Sequence, residues 1–186
     1  MFRKGIGMIL ALFFLFLGGC SVDGPVSEID ADGKLCLELV LPKSRYRENE
    51  AITCHAVLTY VEKNTFTFLA GEPVVMCAIG GGEYFNGDYD LVQKEAYYPQ
   101  KIEKNQPIEY PFKKYMGVHL GSDEKAVRFW KEFLAQEDLI LPPGKYEIIA
   151  SINYGLSQED LPHYTANDLS SGNRLTVRHK IRVERN

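Results

Sequence analysis

Leu35, Leu37, Leu39 and Leu41 alternate with Cys36, Glu38 and Val40, and Ile52, Cys54, Ala56, Leu58 and Tyr60 alternate with Thr53, His55, Val57 and Thr59. A period of two puts one set of side chains on each face of a pleated ribbon, so both stretches predict half-buried strands. Thr65–Leu69 and Pro73–Ile79, around Gly71, predict a third and a fourth, and the Gly80-Gly81-Gly82 run breaks the pattern. Gln100–Glu103 and Ile108–Phe112 flank an Asn105-Gln106 turn. Tyr146, Ile148, Ala150, Ile152 and Tyr154 form one further stripe; Leu175, Val177, His179, Ile181 and Val183 form another. Seven to eight short strands separated by turn signals predict an antiparallel β-sandwich.

One segment has a different period. Ala126, Phe129, Trp130, Phe133 and Leu134 recur at i, i+3, i+4, i+7 and i+8, the stripe of an amphipathic helix inserted among the strands. Ser122 is the expected N-cap, Asp123 and Glu124 suit the positive end of the helix dipole, and Pro142-Pro143 forbids continuation past Leu141. The stripe is expected to pack Trp130 over an open end of the sandwich.

The strand that follows begins Leu141-Pro142-Pro143-Gly144-Lys145-Tyr146. This resembles fibronectin-III and immunoglobulin-like domains, whose penultimate strand often opens with a proline-glycine turn and a corner tyrosine. The resemblance implies an immunoglobulin-like sandwich over residues 34–186, with Tyr146 bonding through its hydroxyl to backbone a few residues upstream. A similarity to the bacterial intracellular proteinase inhibitor domain rests on the leucine-alternating first strand and the same LPPGKY turn.

The first nineteen residues carry a basic start, Arg3 and Lys4, then an apolar run from Ile6 to Leu17 and the pair Gly18-Gly19 before Cys20. Such a run is too short to stay as a membrane span and predicts an export signal over residues 1–19. Leu17-Gly18-Gly19-Cys20 resembles the lipobox of bacterial lipoproteins, which implies cleavage between Gly19 and Cys20 and a diacylglycerol group on the Cys20 sulfur. Two acyl chains give stable attachment where one is marginal. The layout of lipobox, tether, paired strands, Phe-Trp-Lys-Glu-Phe helix and LPPGKYEI strand also resembles lipoproteins of clostridial-type bacteria. The expected place is the extracytoplasmic face of the cell membrane, with residues 20–33 as the lipidated cysteine and its flexible tether.

Composition narrows the function classes. The chain holds 21 basic and 25 acidic residues; removal of the signal with Arg3 and Lys4 leaves it more acidic still, an unsuitable partner for nucleic acid. Cys36, Cys54 and Cys77 are an odd number for an exported chain. Strand phase points Cys36 outward and Cys54 inward, so Cys54–Cys77 is the one bridge to consider, with buried free thiols as the other state. No CxxC occurs. His55, His119, His163 and His179 are scattered singly; Met116 with His119, and Asn86, Asp88 and Asp90, fall short of a copper or calcium site. No metal or cofactor is expected. G-x-S-x-G, H-E-x-x-H, G-x-G-x-x-G and P-loop patterns are absent, and the chain is not expected to be an enzyme.

Two features suit binding. Glu83–Pro99 holds Tyr84, Phe85, Tyr89, Tyr97 and Tyr98 among Gly and Asp. These rings either stack on a cell-wall glycan or protein partner or tuck onto the sandwich. Arg178, Lys180 and Arg182, near Arg174 and Arg185, lie on the outer face of the last strand, where they either guard an exposed strand edge or hold an anionic wall polymer. The expected function is a membrane-anchored binding module, with a proteinase inhibitor second and a small cell-surface enzyme third.

Overall fold

Each stretch with a period of two contains a strand, although the one that starts at Ile52 is a strand only from His55. The computed structural model describes residues 25–62, 65–85, 97–114, 123–156 and 173–186. Within them lie β1 (Val26–Ala31), β2 (Leu35–Leu41), β3 (Arg45–Arg47), β4 (His55–Tyr60), β5 (Thr65–Ala70), β6 (Met76–Gly81), β7 (Tyr98–Glu103), β8 (Ile108–Pro111), α1 (Glu124–Ala135), β9 (Gly144–Gly155) and β10 (Asn173–Glu184). One sheet has the order β1-β2-β4-β8; the other has β3-β10-β9-β5-β7, with β6 also paired to β9. The protein is mainly β, with two sheets closing on one apolar core. Leu35, Leu37, Leu39 and Leu41 of β2 are fully buried in that core, which also takes Ile148 and Ala150 of β9 and Val177 and Ile181 of β10. Each such side chain contributes about 1.5–3 kcal/mol by leaving water.

Ten described strands replace the expected seven to eight, and the two additions have different causes. Residues 20–33 are not all tether, because Val26–Ala31 pairs antiparallel with β2, from Val26 opposite Leu41 to Ala31 opposite Cys36. Apolar periodicity misses β1 since its aliphatic Ile29 is 61% exposed and carboxylates at alternate positions hold it instead. Glu28 approaches His179 Nδ1 at 3.6 Å, and Asp30 accepts the Thr176 N–H at 2.8 Å. Asp32 accepts from the Tyr154 hydroxyl and from the N–H groups of Lys34 and Leu35. Burial raises the Asp32 pKa, but these donors outweigh it and hold the carboxyl below its ordinary value. The described fold therefore includes Val26–Ala31, ahead of residue 34. The second addition, β3, is only three residues long and pairs parallel with β10, Arg45 opposite Arg182 and Arg47 opposite Glu184; the other strand pairs among the described residues are antiparallel.

Three local readings also change. The glycine run does not end its strand: β6 continues through Gly80 and Gly81, opposite Glu147 and Tyr146. Gly81 has φ +88° and a Cβ there would lie 2.7 Å from the Lys145 carbonyl oxygen, so only glycine passes. The helix is capped by Asp123, whose side chain accepts the Lys125 N–H at 3.0 Å, instead of by Ser122, which lies outside the described residues. Its last turn has no basic residue of its own; Lys114 supplies the charge from elsewhere, donating to the carbonyls of Phe133, Gln136 and Asp138 at 2.8, 2.7 and 2.6 Å.

Candidate functional site

The aromatic segment divides. Phe85 is 1% exposed, ringed by Trp130, Phe133, Phe129 and Tyr146 at centroid distances of 5.1, 5.4, 5.7 and 5.8 Å. It is a core residue and takes no part in a stacking surface, because α1 covers the end of the sheet where it sits. Tyr84 lies flat on Phe129 at 4.0 Å, half-buried. Trp130, at 7% exposure, faces this cluster and not solvent. Tyr97 is half-buried and Tyr98 is 51% exposed on the outermost strand, β7. Tyr89 lies outside the described residues, as do Gly19, Cys20, Met116, His119, His163 and the Asn86–Asp90 turn. The described rings thus make no shared face.

The basic residues of β10 do come together with others. β10 buries Leu175, Val177, Ile181 and Val183 and turns Arg178, Lys180 and Arg182 to the outside. These charges lie on a strand whose outer edge is only partly covered among the described residues. β9 flanks β10 along one side, while on the other β3 pairs with it at Arg182–Glu184 and Asp30 of β1 takes the Thr176 N–H. Register then sets Arg45, Arg182 and Lys145 side by side across β3, β10 and β9, and Lys180 beside Glu147 one row above. Like charges directly opposite on neighbouring strands repel. Together they line a groove of about 610 Å³ whose floor includes Gly80 and Gly81, where the missing side chains leave the space open. Glu147 is the one carboxylate lining it and is engaged by Arg178 at 3.0 Å; Arg182 Nε lies 3.6 Å from Glu184. Among the described residues, Arg45, Lys145 and Lys180 have no carboxylate partner. Four cations and one paired acid line this groove, on a chain whose net charge is −4.

Only half of this constellation is visible in the chain itself. Arg178, Lys180 and Arg182 show as a period-two basic stripe, but Arg45 and Lys145 reach it only through strand pairing.

The remaining chemical groups are quiet. Cys36, Cys54 and Cys77 are free thiols; burial pushes Cys54 and Cys77 up to about 12, which leaves them protonated and poorly nucleophilic. His179 is nearly buried; among the described residues neither ring nitrogen makes a hydrogen bond, and Nδ1 lies 3.6 Å from a Glu28 carboxylate oxygen. Among the described residues no group of three His, Cys, Asp or Glu side chains is placed to hold a metal ion, and no helix is long and apolar enough to cross a membrane.

No known protein family, curated protein or solved structure matches the chain. Its function is therefore argued from the groove.

Proposed function

We propose that the protein is an extracytoplasmic binding module, held to the membrane by lipid on Cys20 and built on an immunoglobulin-like sandwich, that takes an anionic ligand in the β3–β10–β9 groove. The observation that carries this reading is the row Arg45, Arg182 and Lys145 beside Lys180. A folded acidic protein gains nothing in stability from three adjacent cations, whereas an anion laid across them relieves their repulsion. The immunoglobulin-like assignment is supported by Tyr146, whose hydroxyl donates to the Pro142 carbonyl, four residues upstream, at 2.8 Å. Burial, with the Glu83 carboxylate adding to it, pushes that phenol up to about 12, so it remains a donor at any physiological pH.

Long-chain polyphosphate is a suitable probe. It is expected to bind Ser21–Asn186 at low ionic strength and to be released as salt rises from about 0.05 to 0.5 M, because exposed charges are screened within about 3–10 Å over the upper part of that range. Failure to bind polyphosphate at the lower salt overturns the groove reading. The anchor has its own check. Cys20→Ser is expected to abolish incorporation of radioactive palmitate and to leave the precursor uncut after Gly19; labelling that persists in the variant places the lipid on another residue and overturns the anchor reading.

A further inference from the structure

The groove sits where the chain would leave for the membrane. Val26, the first residue of β1, pairs with Leu41, the last residue of β2, and only residues 42–44 separate Leu41 from Arg45 in the groove wall. A second set of contacts gives the same placement. β1 runs along β10 with Asp30 at the level of Thr176 and Glu28 at the level of His179, so Val26 continues that descent toward Arg182. Both lines put Val26 at the cationic end. From Cys20 to Val26 the chain spans at most about 20 Å, at roughly 3.5 Å for each residue. A lipid on Cys20 therefore holds this end, and not the Tyr60–Lys104 end, against the bilayer.

We infer that the groove and the cations around it dock on the anionic phospholipid headgroups of the membrane that holds the anchor, so that the domain lies oriented on the surface instead of swinging on its tether. This rests on the groove and anchor readings above, and names their ligand. Phosphodiester headgroups supply the negative charge that Arg45, Lys145 and Lys180 lack among the described residues, and Arg182, 3.6 Å from Glu184, lies in the same row. Lys43 adds to the same end although it is paired with Glu50. Arginine suits such contacts because its planar fork binds two phosphate oxygens at once. The effect of this docking is to fix which face of the domain looks outward, leaving the opposite end, with Lys34, Lys104 and Arg174, as the surface offered to the surroundings.

The test uses Ser21–Asn186, which contains every described strand, the helix and the whole core and carries no lipid, so any adhesion belongs to the domain itself. It is expected to sediment with phosphatidylglycerol-containing vesicles at low salt and to stay in solution with pure phosphatidylcholine. The triple variant Arg45→Ala, Lys145→Ala, Arg182→Ala is expected to lose about 100-fold in partition, roughly fivefold for each cation removed. Lys34→Ala, Lys104→Ala, Arg174→Ala, which removes as many charges at the other end, is expected to bind as before; thermal melts of both variants show that each is folded. Equal losses in the two triples, or no preference for anionic vesicles, overturns the inference. If polyphosphate still binds while anionic vesicles do not, the groove reading stands and docking on the membrane falls; if neither binds, both fall.

Discussion

Phe85→Ala is expected to lower the stability of the domain by about 3–5 kcal/mol, the usual cost of truncating a buried phenylalanine. At this chain length that corresponds to a fall of roughly 6–20 °C in Tm. The ring is 1% exposed and sits edge-on to Trp130, Phe133, Phe129 and Tyr146, so its loss opens a cavity between the end of β6, the start of β9 and α1. Those walls are themselves aromatic and cannot collapse far. Tyr98→Ala provides the contrast. Its ring is half in water at the outer strand of its sheet, and the change is expected to fall within about 0.5 kcal/mol. Chemical denaturation of both variants measures the difference, and similar losses in the two would mean that Phe85 is not the centre of the aromatic cluster.

The second large effect concerns backbone. Gly81→Ala is expected to destabilise by about 2–5 kcal/mol, from two sources. At φ +88° a side chain costs about 1–2 kcal/mol by collision with its own backbone. The new Cβ would also stand 2.7 Å from the Lys145 carbonyl oxygen, an overpacking that typically costs about 1–3 kcal/mol. The second term forces β9 away from β6 at Lys145, which lines the groove, so weaker polyphosphate binding should accompany the loss of stability. Gly33→Ala separates the two terms, since Gly33 has φ +91° with nothing within 4 Å of its Cβ position. It is expected to show the strain alone. If Gly33→Ala costs as much as Gly81→Ala, the close approach to β9 contributes nothing.

The contrast between the two glycines also explains why local reading went astray at the Gly80-Gly81-Gly82 run. Three glycines weaken a strand on propensity alone. Here the partner strand runs so close that glycine is what lets β6 continue.

Which face of β2, β4, β9 and β10 is buried was legible in the chain, because alternation is a local property. Leu35, Leu37, Leu39 and Leu41 point one way whatever they pair with, and Ala126, Phe129, Trp130 and Phe133 fall on one side of a helix by the same geometry. The stripe Arg178, Lys180 and Arg182 was likewise plain as the outward set of a strand. What lay beside those stripes was not. Phe85 and Tyr98 come from one aromatic-rich segment, yet one is enclosed and the other is half in water, because α1 packs over the first and nothing described covers the second. β1 carries no apolar period; hydrogen bonds from Thr176 to its Asp30 and from Tyr154 to Asp32 just beyond it, each spanning more than 120 residues, hold it in place. Arg45, Lys145 and Arg182 are scattered over most of the chain and meet only where β3 and β9 flank β10. Periodicity follows from the backbone's own repeat and can be read one segment at a time, whereas adjacency depends on which strands pair and in what register, and that is settled by the packing of the whole core.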